Sequence, residues 1–266
     1  MTVLVVNNQK GGVGKTMLAV HIAWFLAEQP GARVALFDFD SQGNASVVLA
    51  DAQQGGDCGQ MFRAGFVPPS TPAPVGLTLF KANNDAIKNL STLSEAVGNV
   101  SDEMLKTLIG PVRELTARFD YVVIDTPPSW GVANKLALAV ADHVLSPLDV
   151  ELFSLQGIAG LRRNIATVIK ELRGGKAINY LGILPSRVQT NSPAQKENLK
   201  NLVKASGPLL FRGLITQRQG YSQAMADKTP IWRMKTTAQR EAAKEMNVVL
   251  QTLKSKLEAH QLEVVA

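Results

Sequence analysis

The segment from Thr2 to Thr16, "TVLVVNNQKGGVGKT", leaves few folds open. An uncharged, β-branched run is followed at once by three glycines and a Gly-Lys-Thr ending, close to the phosphate-binding pattern G-x-x-x-x-G-K-[ST], and then by a stretch of helical period. Between a strand and a helix, glycines let backbone N–H groups wrap an anion, and the helix N-terminus adds partial positive charge. Gly11, Gly12, Val13 and Gly14 are therefore predicted to cradle phosphates, Lys15 to neutralise β/γ oxygens, and Thr16 to offer its hydroxyl to Mg²⁺. A merely structural turn has no use for the Lys-Thr pair. The loop also carries a second lysine, Lys10, which this chemistry does not require.

The rest of the chain repeats the strand-helix alternation. Apolar, β-rich runs at 33–39, 121–126, 143–148 and 180–186 join 2–7 as predicted strands, and 14–29 and 155–174 have helical period. Continuous apolar strands are buried on both faces of a parallel sheet. The expected fold is α/β: a doubly wound, mostly parallel sheet with helices on both faces and ligands outside the carboxyl ends of the strands. The proline-rich "GFVPPSTPAPVG" (65–76) reads as an irregular connection, and because the alternation resumes after it, residues 1–266 are read as one domain. From Thr236 onward the period is helical, with Met246, Val249, Leu250, Leu253 and Leu257 on one face and Arg240, Lys244, Lys254 and Lys256 largely off it.

Two further stretches supply acids at strand ends. "YVVIDT" places Asp125 after four apolar or aromatic residues, the position of a carboxylate that supports a metal beside a phosphate loop. In "FDFDSQGN", Asp38 and Asp40 alternate and so point the same way before a glycine turn. In-line attack on a γ-phosphate needs a group that orients water. Asp40, further beyond the strand, is assigned that role, with Asp38 nearer the metal.

Charge is unevenly spread. Residues 1–150 hold 10 Lys and Arg against 14 Asp and Glu, whereas 151–266 hold 18 against 8. A basic second half suits a polyanion, nucleic acid or an anionic membrane surface. The single Cys58 excludes an internal disulfide, and no apolar run reaches the ~18 residues of a membrane span, so the chain reads as cytoplasmic.

"KGGVGKT", "DFDSQGN" and "VVIDTPP" together resemble the deviant Walker A ATPases, P-loop NTPases, and within them the ParA family of plasmid and chromosome partition ATPases. "SPLDVELFSLQGI" (146–158), "YLGILPSRV" (180–188) and "TPIWRMKTTAQREAAKE" (229–245) resemble the short form carried by broad-host-range plasmids. The resemblance covers nearly the whole chain, with 50–115 least distinctive. It implies an answer for Lys10: in that family the loop's second-position lysine reaches across a nucleotide-sandwich dimer to the other subunit's phosphates. It also implies that Lys10, Gly11, Gly12, Gly14, Lys15, Thr16 and Thr126 lie on the phosphate and magnesium side, with Asp40 the catalytic carboxylate. Ser186 and Arg187 fall where the family recognises adenine. The chain departs from the family at Ser41, often Pro, and at Met17, often a second Thr that would add a hydroxyl to the phosphate side.

The family binds DNA through basic residues of its C-terminal portion, here about 205–260. Arg212, Arg218, Lys228, Arg233, Lys235, Arg240 and Lys244 cluster within 33 residues, and Arg218, Arg233, Lys235, Arg240 and Lys244 are the expected contacts, Arg218 first. The implied cofactors are ATP and Mg²⁺. The implied partners are a second copy in an ATP-dependent homodimer, nonspecific double-stranded DNA and a ParB-like adaptor, with a nucleoid-associated location. A membrane-binding relative of the MinD type ends in a helix with bulky apolar residues opposite lysines, whereas "LKSKLEAHQLEVVA" has no Trp or Phe and two glutamates. One cysteine cannot supply the pair that an iron–sulfur relative needs. Two readings stay open beside partition: the same ATPase positioning another cargo, such as a carboxysome or chemoreceptor cluster, and a metabolic enzyme of dethiobiotin-synthetase type.

Overall fold

The computed structural model describes residues 1–63, 65–68, 73–83, 102–151 and 154–265. Seven strands form one sheet: β1 (Thr2–Val6), β2 (Arg33–Asp38), β3 (Gln53–Asp57), β4 (Gly76–Lys81), β5 (Tyr121–Asp125), β6 (His143–Asp149) and β7 (Asn179–Ser186). Their order is β3-β4-β2-β5-β1-β6-β7, and every registered pair is parallel. The inner strand β1 runs between β5 and β6, so the loop that leaves it opens at the carboxyl edge of the sheet. A doubly wound sheet places its ligand crevice at that edge.

The helices are α1 (Lys15–Ala27), α2 (Asn44–Val48), α3 (Asp102–Thr116), α4 (Val132–Val140), α5 (Ser154–Leu172), α6 (Pro193–Ser206), α7 (Gln219–Ala226) and α8 (Thr237–Val265). Period-two alternation divides the core into two layers. Val3, Val5, Ala35, Phe37, Val122 and Ile124 pack with Leu105, Leu108, Leu136 and Leu161 of α3, α4 and α5. Leu4, Val6, Val34, Leu36 and Val123 pack on the other face with Leu18 and Ile22 of α1 and with Met246, Val249, Leu250, Leu253 and Leu257 of α8. Each fully buried Leu or Ile contributes about 1.5–3 kcal/mol. Asp38 and Asp125 continue the parity of the second set, so the strand alternation itself turns them toward the face that α1 covers.

The five strands expected from apolar runs are present to within about a residue. Two more, β3 and β4, extend the sheet. β3 reads "QQGGD" and has no apolar residue to mark it. It pairs with β4 through a register shift beside Gly55, where a Cβ would come 2.6 Å from the Phe80 ring. The proline-rich stretch 65–76 has residues 69–72 outside the described residues, and its last residue, Gly76, starts β4. α8 begins with a capping box: Thr236 N–H donates to Gln239 Oε1 (2.9 Å) and Gln239 N–H donates to Thr236 Oγ1 (3.4 Å).

α1 is buried on nearly all sides, and the C-terminal segment clamps its outer surface. His21 Nδ1 lies 2.8 Å from Met17 O, while Nε2 accepts the Ile231 N–H at 3.4 Å. One ring nitrogen donates and the other accepts, which fixes a neutral tautomer. Burial holds the His21 pKa down at about 4, against the pull of the Met17 carbonyl. The ring packs edge-on against Trp24 and Trp232 at centroid distances of 5.2 and 5.9 Å.

Candidate active site

The loop between β1 and α1 closes on itself. Gly12 and Gly14 have φ of +73° and +89°, a region that costs other residues steric strain, and Gly14 caps α1. Gln9 stands where G-x-x-x-x-G-K-[ST] has its first glycine, and the Lys15 Nζ bonds to the Lys10 carbonyl at 3.0 Å. Lys15 is buried. Burial lowers its pKa, while the charges of Asp125 and Asp40 act the other way and favour the ammonium form.

Asp38 and Asp125 are register partners at the ends of adjacent strands. The two differ in how they are satisfied. Asp38 accepts from the Ser46 N–H (2.8 Å), the Ser46 hydroxyl (2.7 Å) and the Asp40 N–H (3.2 Å). Burial nevertheless pushes its pKa up to about 6. Both oxygens of Asp125 are buried without a well-formed hydrogen bond among the described residues. Burial and then the neighbouring Asp38 push the Asp125 pKa well above the carboxylate range, and the Thr16 hydroxyl and Lys15 charge only partly restore it. An orphaned, buried carboxylate beside a lysine and a hydroxyl is a strong demand for a cation. Asp40 faces outward into a cavity of about 610 Å³ that is also lined by Gly11, Gly12, Lys15 and Thr16, and its Oδ1 accepts the Gln42 N–H at 3.0 Å.

Side chains missed by the sequence reading brace this loop from below. Asn7 donates to Thr126 Oγ1 at 3.1 Å and to Asn134 Oδ1, and Thr126 donates to Val6 O at 2.8 Å. The Thr126 hydroxyl is thus turned into β1 and does not line the cavity. Asn8 donates to Pro147 O (2.8 Å) and accepts the Lys10 N–H (2.8 Å), tying the loop to β6. Their only sequence signal is a pair of amides directly after a buried strand. Lys10 is half-exposed, and its Nζ lies 2.8 Å from Asp149 Oδ2 and also pairs with Glu151.

A second cavity, of about 940 Å³, shares Gly14, Met17 and Met225 with the first, so the two form one cleft. Val188, Ile215, Tyr221 and Arg187 are among its walls. Arg187 has φ of +55° and donates from Nη1 to Gly12 O at 2.6 Å, bridging the end of β7 to the loop. Ser186 is buried, and its Oγ would lie 3.2 Å from a Cβ at Gly14, so it packs beneath the loop and leaves the wall to its neighbours. Val13 is buried and faces neither cavity. Gln189 and Gln217, which the sequence did not single out, bond across this cavity's rim at 2.8 Å.

The basic residues divide by partner. Arg218 is half-buried and bonds through Nε (3.1 Å) and Nη2 (2.9 Å) to Glu245. Arg233 pairs with Glu28 at 2.7 Å, and Lys244 pairs with Glu241 at 2.8 Å one turn away. Lys235 and Arg240 are exposed and have no ion pair among the described residues. No described helix is long and apolar enough to cross a membrane.

Residues 1–178 match the family described as "AAA domain". Protein IncC of Escherichia coli is 33% identical over 265 residues, which is 98% of this chain and 71% of that protein. The chromosome-partitioning ATPase Soj of Treponema pallidum is 32% identical over 86% of this chain and 88% of its own length. A solved plasmid partition protein of Borrelia burgdorferi bound to AMPPNP shares the fold, with a TM-score of 0.74 at 20% identity over 96% of this chain and 99% of that one. Likeness of this extent, with a phosphate loop at the carboxyl edge of the shared sheet, makes the chain a member of the ParA family of partition ATPases, which convert ATP and water to ADP and phosphate.

Proposed function

We propose that this chain is a DNA-partition ATPase in which Mg-ATP closes a sandwich dimer that binds DNA without sequence preference. The observation that carries the nucleotide part is the joining of two cavities across Gly14 and Met17: phosphates fit one, beside Lys15 and Thr16, and a base fits the other. Gly11, Gly12, Val13 and Gly14 supply backbone amides, and Arg187 and Met17 border the base. Ser186 supports that end by packing under Gly14. Thr126 holds the loop after β5 against β1.

The residues present fit magnesium. Thr16 and the unsatisfied Asp125 would hold it, with Asp38 behind. When bound, magnesium neutralises charge on the β and γ oxygens. Asp40, open to the phosphate cavity and fixed by the Gln42 amide, orients the attacking water. Lys10 reaches the partner's phosphates once it leaves Asp149 and Glu151, so that triphosphate and dimer support one another.

Residues 1–266 act as one ATPase domain, with about 205–260 as its DNA surface. Lys235 and Arg240 contact phosphates directly, Lys244 does so beside Glu241, and Arg218 and Arg233 join after exchanging Glu245 and Glu28 for DNA. A dimer presents two such surfaces, and avidity multiplies weak phosphate contacts. A ParB-like adaptor on the cargo triggers hydrolysis and local release, leaving a cytoplasmic, nucleoid-associated gradient. Sedimentation of the protein with ATP, ADP and no nucleotide tests the engine: a dimer with ATP alone supports it, and a mass that ignores nucleotide overturns it.

A further inference from the structure

Glu245 stands outside the phosphate site, yet it joins the larger cavity to the basic helix. Its carboxylate accepts the Thr216 N–H (3.1 Å), the Thr216 hydroxyl (2.8 Å), Arg218 Nε and Nη2 (3.1 and 2.9 Å) and the Tyr221 hydroxyl (3.2 Å). Thr216, Arg218 and Tyr221 are all walls of the 940 Å³ cavity. The Tyr221 hydroxyl also donates to Ala242 O at 2.8 Å, one turn earlier on α8. Among the described residues, every hydrogen bond from these three walls to α8 therefore ends on Glu245 or the Ala242 carbonyl. On the same helix, Lys244 precedes Glu245 directly and Arg240 lies five residues back, within about 8 Å along the axis.

We propose that Glu245 is a positioning residue through which the nucleoside end of a bound ATP, in the larger cavity, sets the placement of the basic side of α8. The inference rests on the ATP-dependent DNA binding proposed above. A helix moves as a unit, so a shift of Glu245 carries Arg240 and Lys244 with it. Arg218 has two alternatives: paired to Glu245 as here, or displaced from it by a ligand in the cavity that it lines and so freed for DNA. A ligand that favours one of two arrangements shifts their populations by its difference in affinity, and the pair supplies the required bistable element. The half-buried setting, with side-chain exposures of 35% and 18%, keeps the interaction from being screened like a surface ion pair.

The test compares wild-type protein with Glu245→Gln, which retains an oxygen for Thr216 and Tyr221 and removes the charge that holds Arg218. Affinity for a random-sequence duplex is measured with ATP and with no nucleotide. Wild type should bind more tightly with ATP by a factor in the usual range for coupled sites, about 5 to 150. In Glu245→Gln that ratio should collapse toward one, while ATP turnover without DNA stays within about twofold, since the charge acts on coupling. Lys235→Gln, ahead of α8, serves as control: it should weaken binding with and without ATP and leave the ratio intact. A full ratio in Glu245→Gln, even with a lowered melting temperature, makes Glu245 a structural tie and overturns the inference alone. A wild-type ratio of one removes the DNA switch and the coupling with it.

Discussion

Lys10 Nζ lies 2.8 Å from Asp149 Oδ2 and also pairs with Glu151, both acids of its own chain just where β6 ends. Burial works against the charge of Lys10, but hydrogen bonds and attraction from the two acids outweigh it and raise the lysine pKa. A lysine proposed to act on a second subunit's phosphates thus starts from a bonded state. Glu151→Gln should lower the ATP concentration for half-maximal dimerisation by about two- to fivefold, the reach of an exposed ion pair. Sedimentation across an ATP titration checks this, and an unchanged or raised midpoint counts against a competing role for Glu151.

Lys15→Ala should abolish nucleotide-dependent behaviour. Lys15 is buried between the Lys10 carbonyl and the carboxylates of Asp125 and Asp40, so its removal takes away the positive charge that compensates both acids. ATP turnover should fall on the order of 100-fold or more, as for loss of one preorganised charge donor. Turnover near the wild-type value would remove Lys15 from the site.

Asp40→Ala should separate binding from hydrolysis. Its carboxylate touches the turn at Gln42 and the open cavity, whereas Asp38 and Asp125 form the buried acid pair behind it. Hydrolysis should drop by about 10² to 10⁴, the usual contribution of a positioned acid or base, while ATP affinity and the ATP-dependent dimer persist. A variant that cannot dimerise would make Asp40 a structural residue of the turn.

His21 gives the fold a pH dependence of known sign. Its folded pKa is depressed to about 4 by burial, against 6.5 for the ordinary side chain. Below pH 6.5 the unfolded chain takes up a proton that the folded one refuses, so this contribution is intact above 6.5 and is lost as pH falls toward 4. From pH 6.5 to 5 the loss is about 2 kcal/mol. His21→Gln should be less stable at pH 7, because its fit between Met17 and Ile231 is poorer, yet should lose less on acidification. Urea midpoints of both proteins at pH 7 and pH 5 decide it. Equal pH losses would mean that His21 is not held neutral.

Much of the fold is legible because its central strands carry their burial in composition. β1, β2 and β5 are built on unbroken apolar runs, and the parity along β2 and β5 already turns Asp38 and Asp125 toward one face. β3 is not legible, since an edge strand can pair through its backbone alone, and the Gly55 that reads as a breaker is what lets Phe80 approach. The phosphate loop announces itself, but the asparagines that brace it do not: an amide after a strand reads as a turn, and its partners on β6 and α4 are more than 100 residues away. Arg218 shows the same limit. Its charge is visible in sequence, whereas its partner Glu245, 27 residues later, is known only once α8 has folded back on the cavity wall.

The central claim is a DNA affinity that ATP switches on. Binding to a random-sequence duplex with ATP, with ADP and without nucleotide, at two salt concentrations, tests it most directly. The protein should bind tightly with ATP alone, the affinity falling steeply as salt rises, against a Kd no better than about 10⁻⁴ to 10⁻⁶ M in the other two states. Binding that ignores nucleotide, or no binding at all, would contradict it and reduce the basic second half of the chain to a solvated surface.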